Sequence, residues 1–296
     1  MISINEYINQ IYVDFKEEND RGKRLCHLKE LTFEGGSLPD YTDIQIQRLY
    51  LLRYAFAYAY EYTNMYLEVL EKMGNPINIS VASIGCGTML DYWSLVQAIY
   101  KKGLNCSIKY TGIDEISWNY KILKRDMDNV SLGIGNAKGF FENNKFFCSD
   151  VYFFPKSISE FSEDEMDSIC DSFGKKPILK DTIYLCISLR SSDVSIGSDI
   201  NRTKAIVDAL ERNGFKSDCK YNSYTSFDKS VGIKAYDNDY LYPNEARDYV
   251  LHLNEKCANY TSNGNNCYDN CLNLNRYPVM KTGMICYQII KFERTN

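Results

Sequence analysis

The chain has 296 residues, 45% of them hydrophobic, and a formal net charge of −5 from 34 Lys+Arg against 39 Asp+Glu. That length and apolar share exclude a disordered tail and allow one large domain, or a domain with a substantial cap; the acidic balance gives no strong nucleic-acid signal. No run of 18 apolar residues occurs, the opening MISINEYINQ is no leader, and the eleven cysteines are scattered, so the expectation is a cytoplasmic protein with reduced thiols and no membrane association.

Ser3 and Glu6 form a capping box for a first helix, with Ile4, Tyr7, Ile8, Ile11, Tyr12 and Phe15 on one face. Residues 19–41 read as a polar connector. Thr42 and Gln45 suggest a second capping box, opening a long helix over 43–72. Tyr50, Tyr54, Tyr58, Tyr62 and Tyr66 recur along it at every fourth position, with Arg53 and Glu61 beside the stripe. Packing explains most of such a stripe, because tyrosine buries a large ring while its hydroxyl finds a partner. The alternative is a lid whose hydroxyls and Arg53 face a ligand carboxylate. The expected division is a helical cap over 1–75 and a second domain over 76–296.

Ile79–Ile84 has the length of a buried strand and breaks at Gly85-Cys86-Gly87. A helix is expected from Thr88 as N-cap, carrying Leu90, Trp93, Val96, Ile99 and Tyr100 and stopping at Lys101-Lys102-Gly103. A second strand over 107–113 ends at Asp114-Glu115. Glycines beside a helix N-terminus let backbone N–H groups approach a ligand, and an acid at the tip of the neighbouring strand suits a ribose diol. The unit therefore suits an adenosine-type ligand. Two glycines are too few for the dinucleotide fingerprint, and no Gly-Lys-Ser/Thr follows for a P-loop.

At these residues the chain resembles the class I, Rossmann-like methyltransferases that use S-adenosylmethionine. Ser83-Ile84-Gly85-Cys86-Gly87-Thr88-Met89 looks like their first motif and Tyr110-Thr111-Gly112-Ile113-Asp114 like their second. Ser83 stands where the family usually has an acid, and Met89 where a third glycine is common. The resemblance implies an α/β fold with a Rossmann-like seven-stranded sheet, mostly parallel with a C-terminal antiparallel hairpin, plus the N-terminal helical cap. It implies S-adenosylmethionine as cofactor, with Gly85, Cys86 and Gly87 along its methionine and ribose part and Asp114, with Glu115, at the ribose hydroxyls.

Farther on, 117–127 reads as a helix and 145–151 as a third strand. By the resemblance Asp150 and Val151 are candidates for the adenine, although a strand-end Asp can equally cap a turn. Residues 157–173 read as an acidic helical stretch and 181–189 as a strand ending at Arg190-Ser191-Ser192-Asp193. Ligands gather at the carboxyl ends of strands in open α/β sheets, so Ser188–Asp193 should border the transfer site. Asp193 and Arg190 are the catalytic candidates; Ser188 and Arg53 complete the cofactor-binding set. A helix over 199–213, a strand over 215–221, a helix opened by Pro243 and a closing hairpin of 276–280 with 285–292 follow.

His252, Cys257, Cys267 and Cys271 cluster around an Asn- and Gly-rich insertion over 252–275. Three thiolates and an imidazole could close a structural zinc site, but the spacing matches no established zinc motif. A buried small-hydrophobe role for these cysteines is the competing reading.

The six prolines include no adjacent pair and no Pro-Cys, so neither the Asp/Asn-Pro-Pro-aromatic loop of amino-methylating DNA enzymes nor the usual cytosine C5 nucleophile is present. No double-glutamate loop of the protein arginine type follows the fourth strand. The expectation is methyl transfer to an O, N or S nucleophile of a small-molecule or peptide acceptor. A non-catalytic cofactor- or partner-binding module, and an aminopropyl or aminocarboxypropyl transferase, are the alternatives. Acceptor and oligomeric state are open.

Overall fold

A computed structural model describes residues 2–20, 24–31, 39–122, 129–191, 193–258 and 271–295, with the side chains of 193–195 and 271–272 outside the description. The chain forms two compact units: residues 1–58, 118–122 and 230–282 make one, and 59–117, 123–229 and 283–296 the other. This division departs from the expected break at 75/76, because residues 230–282 cluster with the N-terminal helices rather than with the sheet.

The larger unit holds the sheet. Strands β1 (Asn78–Ile84), β2 (Ser107–Asp114), β3 (Val130–Ile134), β4 (Val151–Phe154) and β5 (Thr182–Ser188) run parallel in the order β3-β2-β1-β4-β5. Strand β8 (Cys286–Arg294) then pairs antiparallel with β5, and β6 (Phe215–Ser217) and β7 (Thr225–Ser226) pair antiparallel with β8. This is the Rossmann-like, mostly parallel sheet with an antiparallel end. The order reverses between β1 and β4, so a ligand crevice is expected outside their carboxyl ends. The closing antiparallel partners are β6 and β7; residues 276–280 form no strand, and there only Lys281 bridges to Gly232.

Helices α3 (Leu90–Lys101), α4 (Ala137–Asn143), α5 (Glu163–Lys175) and α6 (Asp193–Arg212) belong to the same unit. The core beside α4–α6 is aromatic: Phe141, Phe147, Tyr152 and Phe173 meet at centroid separations of 5.0–6.0 Å. Helix α5 opens with a capping box of Ser162 and Glu165, later than the acidic stretch suggests. Helix α2 (Ile44–Lys72) begins in the smaller unit and ends in the larger. Its cap is Asp43, whose Oδ1 accepts from Gln45 N at 2.7 Å, while Thr42 is drawn to Asp40.

In the smaller unit α1 (Ile4–Asn19) keeps the Ser3–Glu6 capping box and meets α7 (Asn244–Leu251) through an edge-on contact of Tyr12 with Tyr249 at 5.6 Å. The first half of α2 packs Phe56 against Tyr240 and Tyr242, and the Tyr242 hydroxyl donates to Leu52 O at 2.6 Å. Most of the tyrosine stripe is packing: Tyr54, Tyr62 and Tyr66 are buried.

Candidate functional site

The turn after β1 is held by its neighbours before any ligand is considered. Gly85 N and Cys86 N both donate to Ile113 O, at 2.8 and 3.0 Å, locking the turn to the tip of β2. Gly85 (φ +77°) and Gly87 (φ +54°) take left-handed conformations that favour glycine. At Gly85 a side chain would also strike Ser157, whose Oγ donates to Ile84 O at 2.5 Å. Gly112 is needed for a similar reason, since a Cβ there would lie 2.8 Å from Cys86 Sγ. The close approaches at Gly85 and Gly112 are thus made by protein atoms.

Helix α3 starts one residue after the expected cap. Its N-cap is Met89, itself left-handed at φ 64°, with no side-chain capping bond. The departure from a third glycine therefore keeps the glycine-like backbone and carries its strain. The first turn of α3 is served from within: Asp91 is buried, accepts from the Tyr110 hydroxyl at 3.0 Å and from the backbone of Tyr92. Burial pushes its carboxyl up to about 6.

Asp114 ends β2 at this turn. Its Oδ2 accepts from Gly87 N at 2.7 Å and its Oδ1 from Ile116 N at 2.9 Å. Glu115 beside it is exposed, and burial, Glu165 and Asp114 raise its pKa. The N–H groups of the turn are taken by Ile113 O, Asp114 and, from Met89, Cys86 O. A phosphate cradle needs such groups free. With the N–H groups of Gly85, Cys86, Gly87 and Met89 engaged by protein, the turn is poorer in donors than a phosphate cradle.

The other expected residues separate. Asp150 lies at the amino end of β4, because the strand is Val151–Phe154 and not 145–151. There its Oδ2 accepts from Ser80 N at 2.8 Å and Oγ at 2.6 Å, and its Oδ1 pairs with Lys180 at 2.7 Å. Asp150 and Val151 are therefore at the end of the sheet opposite the glycine turn. The third strand in chain order is β3, whose carboxyl end runs into Gly135-Asn136-Ala137. Gly135 N donates to Asp114 O at 2.9 Å, and Asn136 N-caps α4 by accepting from Gly139 N at 2.8 Å. Residues 123–127 of the expected helix at 117–127 lie outside the described residues, and 117–122 are not helical.

Arg190 is held by a buried acid: its Nη2 meets Asp199 Oδ1 at 2.8 Å, and Asp199 also accepts from its backbone N–H at 2.8 Å. That carboxylate fixes the guanidinium as a brace between the end of β5 and α6. Asp193 begins α6, and its side chain lies outside the described residues. Ser188 is fully buried and donates to Glu61, which also pairs through Oε2 with Lys156 at 3.0 Å. Lys156, left-handed at φ 56°, donates further to Leu189 O at 2.5 Å and Met284 O at 3.2 Å. Glu160, past the end of β4, was not legible as a site residue in the sequence. Its side chain is exposed, and its pKa is raised to about 7 by desolvation first and by Asp114 next.

His252 is exposed and 3.4 Å from Glu255 Oε1, Cys257 is buried, and Cys267 and the Cys271 side chain lie outside the described residues. Among the described residues no three His, Cys, Asp or Glu side chains gather as metal ligands, and no helix is long and apolar enough to cross a membrane.

No protein-family model and no curated protein matches the chain. Solved structures similar to it include the plantazolicin methyltransferase in complex with a triazolic desmethylPZN analog and S-adenosylhomocysteine, at 14% identity, covering 98% of this chain and 100% of that one, with a TM-score of 0.41. The Burkholderia thailandensis 1,6-didemethyltoxoflavin-N1-methyltransferase is 8% identical over 79% of each chain, with a TM-score of 0.42. A SAM-dependent methyltransferase from Archaeoglobus fulgidus is 15% identical, covering 78% and 94%, with a TM-score of 0.37. Likenesses this distant assign no activity; strand order and site geometry bear the weight below.

Proposed function

We propose that the protein is an S-adenosylmethionine-dependent methyltransferase acting on a small-molecule or peptide acceptor. The observation that supports this most is Asp114: an acid at the tip of β2, held against the glycine turn by Gly87 N–H at 2.7 Å and Ile116 N–H at 2.9 Å, on the strand next to β1, where the strand order reverses. Asp114 would hold the ribose hydroxyls, and the Asn136 carboxamide with the Ala137 N–H would face the adenine. When bound, the cofactor supplies a methyl group made electrophilic by its sulfonium. The chain's part is to align the acceptor with that methyl and, for an acceptor that begins protonated, to take its proton. Glu160 is the group at this mouth suited to the second task, since a carboxylate with a pKa of about 7 is a base near neutral pH.

Titration calorimetry with S-adenosylhomocysteine, which binds without reacting, tests the reading on wild type and on Asp114→Ala. Binding to wild type, weakened in the variant by about 1.5–3 kcal/mol as expected for hydrogen bonds to a charged group, is the supporting result. A folded wild type that binds neither this ligand nor S-adenosylmethionine refutes it.

A further inference from the structure

Within the larger unit, the two ends of the glycine turn are clasped from below by a buried acid that no role assigned above uses. Ser83 is the last residue but one of β1 and Asp91 the second of α3, so the turn over 84–90 lies between them. Asp91 is 1% exposed, and both its carboxylate oxygens accept from the Tyr110 hydroxyl at 3.0 Å. Tyr110 precedes Asp114 by four residues on β2, so the same carboxylate ties the turn to the strand that carries Asp114. Ser83 Oγ is buried against both groups and favours the charged form of each, without completing a bond of full hydrogen-bond geometry. The N-cap of α3, Met89, offers no side-chain acceptor, and Asp91 accepts instead from its own N–H and that of Tyr92.

Tyr110 and the two N–H groups all donate, so the clasp as it stands is that of an ionised carboxylate. Protonation would put a hydrogen on one of the two oxygens that the Tyr110 hydroxyl spans. The carboxyl, now a donor, would have to turn towards an acceptor such as Ser83 Oγ, and the tie between the turn and β2 would loosen. The groups around Asp91 are Ser83 on β1, Tyr110 on β2, Tyr66 on α2 and Tyr92 on α3 itself, with Cys86 of the turn beside Tyr110. No cation acts on it, and burial pushes the carboxyl up to about 6. Both forms are therefore within reach of mild pH.

We propose that Asp91 is a positioning residue for the cofactor: its ionised carboxylate holds the glycine turn and β2 in the arrangement that binds the nucleoside, and its protonated form holds them less well. Asp91 touches no ligand and acts through the turn. The proposal rests on the methyltransferase reading. Binding then releases the proton that Asp91 carries, so affinity rises with pH through about 6 and is level above.

The test is calorimetric titration with S-adenosylhomocysteine of the full chain as wild type, Asp91→Asn and Tyr110→Phe, from about pH 5 to about pH 7.5. One pH unit below the carboxyl's value corresponds to about a tenfold loss of affinity, which is the rise expected for wild type across that range. Asp91→Asn cannot ionise. It should bind about tenfold more weakly than wild type at the upper pH and about equally at the lower. Other carboxylates of the mouth, such as Glu160 and Glu115, are common to both proteins and cancel in this ratio. Tyr110→Phe removes a donor that favours the carboxylate, so its midpoint should move to higher pH with affinity recovered above it. A purely structural role would weaken binding alike at every pH and move no midpoint. A wild-type to Asp91→Asn ratio that is constant with pH overturns the proposal alone. If Asp91→Asn does not fold, an unmoved midpoint in Tyr110→Phe overturns it in the same way. A folded wild type that binds neither S-adenosylhomocysteine nor S-adenosylmethionine at any pH sinks the methyltransferase reading, and this proposal with it.

Discussion

Two clusters of buried charge divide the molecule's chemistry. In the larger unit Lys156 pairs with Glu61 and donates to Leu189 O and Met284 O, and Glu61 takes the Ser188 hydroxyl as well. In the smaller unit, among the described residues, Arg53 and Arg276 each have a buried Nε without an acceptor and no carboxylate paired with them. Both clusters carry charge out of water, which is expensive unless matched. The matched one is architecture. It ties α2 to the carboxyl ends of β4 and β5 and to the chain entering β8, so it shapes the rim of the crevice without offering a group to a ligand. The other has its guanidinium groups oriented by backbone carbonyls and by the Tyr54 ring.

The largest effect should come from breaking the matched cluster. Lys156→Met leaves the Glu61 carboxylate buried without its cation, and the expected loss is about 3–5 kcal/mol, measured by urea unfolding. Glu61→Leu combined with Lys156→Met removes both charges and should cost clearly less than Lys156→Met alone. A double variant as unstable as the sum of the singles would show that the cluster is not a matched pair.

A third buried carboxylate, Asp91, lies between these extremes: it has the Tyr110 hydroxyl and backbone donors but no cation among its causes of shift. Folding raises its pKa from 3.8 to about 6. The native state then holds a proton that the unfolded chain releases near pH 4. The stability contributed by the protonated group is accordingly present below that pH, falls as pH rises towards about 6, and is flat above. Two pH units correspond to about 3 kcal/mol. Asp91→Asn keeps an acceptor for Tyr110 and should erase this slope. Subtracting its unfolding free energies from those of wild type between pH 4.5 and 7.5 isolates the effect, and a difference independent of pH would rule it out.

What could be read from sequence follows from range. The β1 turn and Asp114 were legible because an apolar run, two glycines and a strand-tip acid are local signals. Strand β3 was hidden by the two glycines around it, Gly133 and Gly135, and by an edge position whose side chains face solvent. With β3 hidden, 145–151 stands as the third strand of the sequence reading, which puts the adenine candidates Asp150 and Val151 at the opposite end of the sheet from the glycine turn. Lys145–Asp150 imitates a strand, yet Phe146 is exposed while the four residues of β4 are all buried. Glu61 and Ser188 were each visible in a local pattern, but their bond joins positions 127 residues apart. Arg276 carried no local pattern at all. Arg53 was noticed as a lone charge beside tyrosines, and only the fold supplied its twin.

The smallest expected effect shows that the first comparison concerns burial rather than ion-pair geometry. Lys175 and Asp171 lie one turn apart on α5 with Nζ 2.9 Å from Oδ2, against 3.0 Å for Lys156 and Glu61. Distance alone would make the two pairs equals. The surface pair, however, keeps 72% and 66% of its side-chain area in water, where the buried pair keeps 8% and 0%. Water and salt screen the exposed attraction, and two flexible chains must be ordered to make it. Lys175→Met should therefore change unfolding free energy by no more than about 0.5 kcal/mol, and the change should vanish in 1 M salt. The Lys156→Met loss should survive the same salt, because ions do not reach a pair sealed beneath α2. If salt abolished both effects alike, the Lys156–Glu61 pair would have to be open to solvent, and its role as a fixed brace of the crevice rim would fall with it.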